Sequence, residues 1–496
     1  MYQSLFEETS LNYNTQEKRI IRDNFIQDIY YYYLKGGLYS IIILKILDIF
    51  SVLFLSTFVM IIFIFLDWGN IMKCGKEFCG DISLYLTLKG MYSPNFFHII
   101  IFIFVIGLLL FSFYKIMKFF GDCKEFYSID KYYIETLKIK RKDLHSKSWN
   151  DIIIAISETS DNIPIDEITS IILKNENYFI ALITNNIFKI PERFFTKQLE
   201  LNLYYGLNPF SFSNKTKYDI RKRLILLGVV NFVLSPFILI YVTTSFVFHN
   251  IDELYLNKKV LGPRRYTQFF KWEIRSYNEL DHYFESRLNY SMKYSIEYIK
   301  QFPSRNFEIV SKFIGLISGA FIGLFLILSI LDENILLFVT FLDRSLIFYA
   351  GICATISAIS RGFIREPENT VYDPNDIMNK VAKYTKYMPK HWKGKCNTFD
   401  VRDEFLKKFR YIIVLFCYEI ISVVMTPYLL CFVIPEESLN IENFLKHNTS
   451  YKKNTGYTCR LSDFALKNEK EVVNKKMEMS ILSFSENHPK WSSIEV

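Results

Sequence analysis

Six uncharged or nearly uncharged stretches limit this chain more than any other feature: Leu38–Leu66, Phe96–Phe113, Leu224–Phe248, Phe313–Leu331, Ile335–Ile359 and Tyr411–Ile434. Each reaches 18 residues or more, close to the roughly 20 needed to cross hydrocarbon as a helix. Half of all residues are apolar and 22% are charged. That composition excludes a disordered, collagenous or disulfide-rich secreted chain. Bilayer solvent leaves helices and closed barrels as the spanning structures, and blocks of this length read as helices. The fold class expected is an all-α integral membrane protein.

The distribution of Lys and Arg sets the expected topology, because short cytosolic loops are enriched in them. If all six blocks cross, 249–312, with 11 Lys/Arg, and 361–410, with 12, face the lumen. The arrangement reverses if the third and sixth blocks enter and leave on one side. Pro236 lies centrally in the third block, and Glu419 and Pro427 lie in the sixth. A mid-segment proline removes a backbone hydrogen bond. Kinked full spans are the alternative, but the charge count favours four transmembrane helices plus two re-entrant segments under a large cytosolic helical layer.

The resulting organisation starts with a cytosolic tail, 1–37, and the first two transmembrane helices, 38–120, around a luminal loop, 67–95. A cytosolic region, 121–223, precedes a re-entrant segment, 224–248. Cytosolic amphipathic helices, 249–312, then lead to a transmembrane hairpin, 313–360. A second cytosolic region, 361–410, a second re-entrant segment, 411–434, and a cytosolic C-terminal region, 435–496, complete the chain. The stripe Leu280, Phe284, Leu288, Met292, Ile296 and Ile299 predicts a helix packed on other cytosolic helices.

Charge at membrane depth is costly and usually faces a polar cavity or another charge. Lys45 and Asp48 share a helix face in the first block and are placed to pair, or to snorkel at its end. Asp343 and Arg344 interrupt the fifth block, and Glu419 lies inside the sixth; all three are expected to face a polar interior. Lys258, Lys259, Arg264 and Arg265 follow the third block, where a lipid phosphate or simple orientation accounts for them. Gly315, Gly319 and Gly323 recur every four residues and should let the fourth and fifth blocks pack closely. Cys74 and Cys79 in the luminal loop are candidates for a disulfide. Tyr2 and Leu5 fit a Tyr-x-x-apolar sorting signal.

No nucleotide-binding glycine loop, GxSxG or HExxH motif is present, and the seven histidines lack ligand spacing. Neither a metal, a cofactor, an enzymatic step nor a nucleic-acid partner is therefore expected. The residues leave a lipid- or ion-permeation protein, a transporter or a membrane scaffold.

The order of motifs narrows this. YYYYLKGG at 30–37, NFVLSPFILI at 231–240, LGPRR at 261–265, RSYNELDHYFESRL at 275–288 and YMPKHWKG at 387–394 follow one another. RDEF at 402–405, YEIISVVMTP at 418–427, Cys459 with Phe464-Ala465, and HPKW at 488–491 complete the series. From about Tyr30 onward the chain resembles the autophagy-related protein 9 family. The resemblance implies four transmembrane helices, two re-entrant segments and a domain-swapped homotrimer with central and lateral pores. It also implies passive phospholipid scrambling on Golgi- and endosome-derived vesicles and the phagophore, with both termini cytosolic. The implied partners are phospholipids, an autophagy lipid-transfer protein and the initiation kinase complex. Lys258 and Lys259 with Arg264 and Arg265 occupy the region where the family carries charges linked to scrambling, and Asp343 and Arg344 are the candidates to line a pore. Neutralising the four basic residues together is expected to slow flipping. A structural scaffold that shapes vesicles and recruits factors, or an ion channel, is the alternative.

Overall fold

A computed structural model describes residues 22–67, 96–159, 163–207, 220–256, 263–302, 305–342, 344–363, 372–452, 455–464 and 475–492. Tyr2, Leu5, Cys74, Cys79, Lys258, Lys259 and Asp343 lie outside these residues. The chain divides into two compact units: 1–172 with 453–456, and 173–452 with 457–496.

The first unit begins with helix α1 (22–34), continues in α2 (Leu38–Met60), which ends in a wider turn through Phe65, and includes the long α3 (Phe96–Glu135). At ~60 Å, α3 is about twice as long as the hydrocarbon is thick. The aromatic run 30–33 packs on it: Tyr32 donates to Asp130 at 2.6 Å, and Tyr133 donates to the Ile29 carbonyl at 3.0 Å. Tyr30 meets Trp149 edge-on at 4.9 Å. Gly36 and Gly37 then reverse the chain at φ 77° and 90°, the left-handed region that favours glycine. A Cβ on Gly36 would lie 2.8 Å from the His145 ring. The YYYYLKGG string is thus a packed helix end followed by a tight joint into α2.

The second unit contains α4 (Lys197–Gly206), α5 (Ile220–Leu256), α6 (Gln268–Ile274), α7 (Asp281–Lys300) and α8 (Arg305–Leu331). Beyond these lie α9 (Glu333–Phe338), α10 (Leu346–Phe363), α11 (Pro374–Thr385), α12 (Phe399–Lys408), α13 (Ile412–Tyr428) and α14 (Lys475–Asn487). Antiparallel strands β1 (Arg264–Tyr266) and β4 (Phe409–Tyr411) pair, as do β2 (Thr340–Phe341) and β3 (Arg344–Ser345). Among the described residues five helices are long and apolar enough to cross a membrane, within Leu38–Phe65, His98–Glu135, Ile220–Val247, Glu308–Leu331 and Ile412–His447. Leu346–Arg361 is a shorter apolar helix.

Two expectations change here. No interruption occurs at Pro236: α5 runs through it for 37 residues. Proline cannot donate to the carbonyl four residues back, that of Phe232, but the Ser235 hydroxyl donates to it at 2.8 Å. The fifth apolar block, in contrast, is not one helix. It divides into α9, the β2–β3 pair and α10. Past Pro427, α13 does give way, first to a wider turn at Leu429–Val433 and then to a tighter one at Ile434–Glu437.

The core away from the apolar helices gathers Tyr266, Phe270, Phe284, Leu288, Tyr298, Met378, Trp392 and Phe405. Helix α7 packs on α11, as its stripe predicts, but the buried face shifts toward Ser291, Ser295 and Tyr298 while Ile296 is exposed. Three hydrogen bonds explain the shift: Tyr266 lies 2.6 Å from Ser295, Ser291 donates to Tyr266, and Tyr298 donates to the Cys396 carbonyl.

Candidate functional site: a cation-lined cavity between two apolar helices

Helix α4 is a polar helix held between two apolar ones. Its N-cap residue, Thr196, does not cap it, because its hydroxyl lies 2.5 Å from Ser422 on α13. The cap comes instead from Glu419 on α13, which accepts from the Lys197 backbone N–H at 3.0 Å. A carboxylate at a helix N-terminus meets unpaired N–H groups and the positive end of the helix dipole. That accounts for a charge inside the sixth apolar block. On the other side, Asn231 of α5 is buried and donates to Asn202 at 2.6 Å, while Gln198 and Asn202 both donate back to it at 3.3 Å.

Helix α5 also touches α13 and the wider turn that follows it. A Cβ on Gly228 would stand 2.4 Å from Cys431 Sγ and 3.1 Å from Leu430 Cβ. Phe246 stacks on Phe416 with ring centroids 3.9 Å apart.

Together these elements border an open cavity of about 1200 Å³. Its walls are Asn231, Tyr241 and Phe246 of α5 and Leu415, Tyr418 and Glu419 of α13. Six cations face it (Arg193, Lys197, Arg265, Lys271, Lys407 and Arg410) against the carboxylates Glu192 and Glu419. The β1–β4 pair sets Arg265 directly opposite Arg410. Like charges at cross-strand positions repel. Burial pushes the Lys271 ammonium below its usual range, and the charges of Arg265 and Lys197 push the same way. Such a cluster fits an anionic group, while the apolar wall supplied by α5 and α13 fits chains. An amphipathic anion combines both.

The candidate residues from the sequence divide accordingly. Glu419 and Arg265 line the cavity. Arg264 stacks on Tyr411 at 3.6 Å and donates to the Phe409 carbonyl. Lys45 and Asp48 do not pair with each other: Lys45 pairs with Asp122, and Asp48 accepts from Lys115 at 2.6 Å. The partners lie on α3, so the two bridges fix the register of α2 against α3. Arg344 sits in β3, not within a helix, with its guanidinium 5.6 Å from the Phe348 ring. Gly315 lies against α10, where its Cβ would meet Ser360 at 3.5 Å, whereas Gly319 and Gly323 have nothing within 4 Å among the described residues.

The sequence did not single out Lys197, Asn202, Asn231, Lys271 or Arg410. Asn231 alone carried a local signal, as an amide within the third apolar block.

Apolar helices clipped to a polar helix around a cation-lined cavity define a helical protein with several candidate membrane spans. Known proteins narrow the class. The chain belongs to the Autophagy protein ATG9 family, which it matches over residues 22–465. It is 30% identical to the autophagy-related protein 9 of Dictyostelium discoideum, covering 95% of this chain and 73% of that one. Identity to the Kluyveromyces lactis protein of the same name is also 30%, over 94% of this chain and 54% of that one. This chain therefore spans about half the length of some relatives. The cryo-EM structure of Schizosaccharomyces pombe Atg9 superposes with a TM-score of 0.64 at 26% identity, covering 89% of this chain and 98% of that one.

Proposed function

We propose that this protein is a passive phospholipid scramblase of autophagy vesicles, and that the cavity between α5 and α13 is part of the lipid path. The observation that carries this reading is the pairing of six cations with an apolar wall in one cavity. A bare headgroup crosses hydrocarbon slowly because its charges lose hydration, an idealised cost on the order of 20 kcal/mol per ion. A groove that meets the phosphate with guanidinium and ammonium groups, and the chains with α5 and α13, replaces that hydration. Only solvation changes along the path, so no bond is made or broken and no nucleotide is needed.

In this reading α2, α3, α8 and α10 cross the bilayer. Helices α5 and α13 enter from the cytosolic face, which keeps 249–312 and 361–410 on the side their 11 and 12 Lys/Arg favour. Both termini are cytosolic, the protein assembles as a homotrimer, and it resides on Golgi- and endosome-derived vesicles and the phagophore. There it receives lipid from a transfer protein and meets the initiation kinase complex.

The test is reconstitution into sealed liposomes carrying a fluorescent phospholipid in both leaflets, followed by a membrane-impermeant reductant outside. Protein-free vesicles lose roughly half their signal, because one of two leaflets is exposed. The reading predicts loss well beyond half, without ATP or calcium. Loss that stops at half with folded protein overturns it in favour of a scaffold.

A further inference from the structure

The segment that follows α3, residues 138–147, carries five Lys/Arg against one carboxylate, Asp143. Its backbone is fixed by hydrogen bonds. The Ile139 N–H donates to the Tyr133 carbonyl and the Asp143 N–H to the Lys140 carbonyl, both at 2.9 Å. The Ser146 N–H donates to the Asp143 carbonyl at 3.1 Å. Leu137 and Leu144 are buried and anchor the turn at both ends.

Its cations divide into two groups. Arg141 is structural: its Nε donates to Asp130 at 2.9 Å, and Asp130 also accepts from Tyr32. Lys138, Lys140, Lys142 and Lys147 are exposed, and none of the four has an ion pair among the described residues. Neighbouring carboxylates are engaged elsewhere. Glu135 lies 3.7 Å from Lys131, and Asp151 accepts from the Ser148 hydroxyl at 2.8 Å.

The turn rests on the joint where α2 begins. A Cβ on Gly37 would lie 3.1 Å from Leu144, next to the contact of Gly36 with His145. The Arg141 guanidinium lies 5.6 Å from the Tyr39 ring. Lys35, just before the joint, is a further exposed cation, 5.7 Å from the Tyr31 ring.

The dimensions of α2 set the height of that joint. Leu38–Phe65 measures ~40 Å, which matches a bilayer with its headgroup regions, about 40–45 Å, better than the ~30 Å of hydrocarbon alone. The two charges within α2, Lys45 and Asp48, are bridged to α3. The exposed stripe Tyr39, Ile43, Leu47, Phe50 and Phe54 continues past them to the joint, and a tyrosine at its end suits the membrane boundary. Leu38 therefore lies at headgroup level when α2 crosses, and so does the turn seated on Gly36 and Gly37.

Orientation alone accounts for lysines beside a span. It does not account for a bonded turn that keeps four of them exposed and without carboxylate partners at the height of lipid phosphates. We infer that residues 138–147 form a docking surface for anionic phospholipid headgroups in the leaflet where α2 begins. Lysine ammoniums are compact charges with three donors each, and a negatively charged leaflet attracts them within a screening length. None of these residues lines the cavity. The inference rests on α2 crossing the bilayer and is independent of whether the cavity moves lipid.

The experiment places the full chain in nanodiscs of phosphatidylcholine alone, or of phosphatidylcholine with phosphatidylserine, and follows amide hydrogen exchange by mass spectrometry. Phosphatidylserine should slow exchange across 138–147 several-fold. The segment holding Lys390, Lys393 and Lys395, also exposed, should change little. Replacing Lys138, Lys140, Lys142 and Lys147 together by Gln should abolish the difference between the two lipids, and replacing them by Arg should preserve it. Because the four side chains are exposed and unpaired, both variants should melt with the parent. Equal exchange in the two lipids overturns the inference. So does equal slowing of both segments, or slowing that survives in the Gln variant.

Discussion

Arg410→Gln separates a ligand site from a structural ion network, because the two predict opposite effects on stability. Arg410 faces Arg265 across the β1–β4 pair, and both line the cavity. Directly opposed side chains on antiparallel strands have Cβ atoms about 5 Å apart, so a charge separation of ~6 Å is reasonable. At an effective dielectric of about 20, like charges at that distance repel by roughly 3 kcal/mol, before screening by salt. The substitution also loses the bond from Arg410 Nε to the Lys407 carbonyl, 3.1 Å long and worth about 1 kcal/mol, and a cation–π contact with the Tyr418 ring worth about 0.5–1 kcal/mol. The net effect on the empty protein is stabilisation by roughly 1 kcal/mol. The same change removes one of six cations from the cavity, and losing one contact of about 1.4 kcal/mol to a passing phosphate slows flipping tenfold. Melting in detergent and the reductant assay on liposomes measure the two effects. A variant that melts lower than the parent and flips at the parent rate refutes this reasoning.

Three further outcomes follow from other contacts. Gly228→Ala puts a Cβ 2.4 Å from Cys431 Sγ and should destabilise the packing of α5 on the turn after α13 by ~1–3 kcal/mol, with partial recovery on adding Cys431→Ala; unchanged melting contradicts the packing. Glu419→Leu removes the cap of α4 and should cost about 1–2 kcal/mol, while Glu419→Gln, which keeps an acceptor oxygen, should cost less than about 1; equal losses contradict the capping role. Asp28 on α1 is pushed up to about 6 by burial and by Glu125 and Asp122. A carboxyl raised above its unfolded value supports the fold while protonated and opposes it once ionised. Asp28→Asn should therefore raise the melting temperature at pH 8 and have little effect at pH 4, with the gap opening between pH 4 and 6. A stabilisation equal at both pH values refutes the assignment.

Helices α2, α3, α5 and α8 were legible in the sequence because apolar length alone specifies them. The polar clips were not. Asn231 meets Asn202 from 29 positions away, and Glu419 caps a helix 222 positions before it. Local periodicity contains neither distance. The same limit misdirected Lys45 and Asp48: spacing three suggested a pair, but Asp122 and Lys115 on the neighbouring helix are the nearer partners. Pro236 misled for a different reason, since one neighbouring hydroxyl suffices to repair the bond it removes. At Arg344 the sequence marked an interruption of the apolar block without its geometry: Arg344 belongs to a short strand paired with Phe341, a contact that apolar length does not encode.

The most direct test of the central claim is the flip rate of protein carrying Lys197→Gln, Lys271→Gln and Arg410→Gln together, in sealed liposomes and beside the parent. All three groups face the cavity, and none belongs to the bridges that join α2 to α3. The account predicts reductant-accessible signal that falls back toward half on the timescale in which the parent loses nearly all, from protein that melts no lower than the parent. Parent-speed flipping by the folded triple variant would contradict it and move the lipid path elsewhere in the molecule.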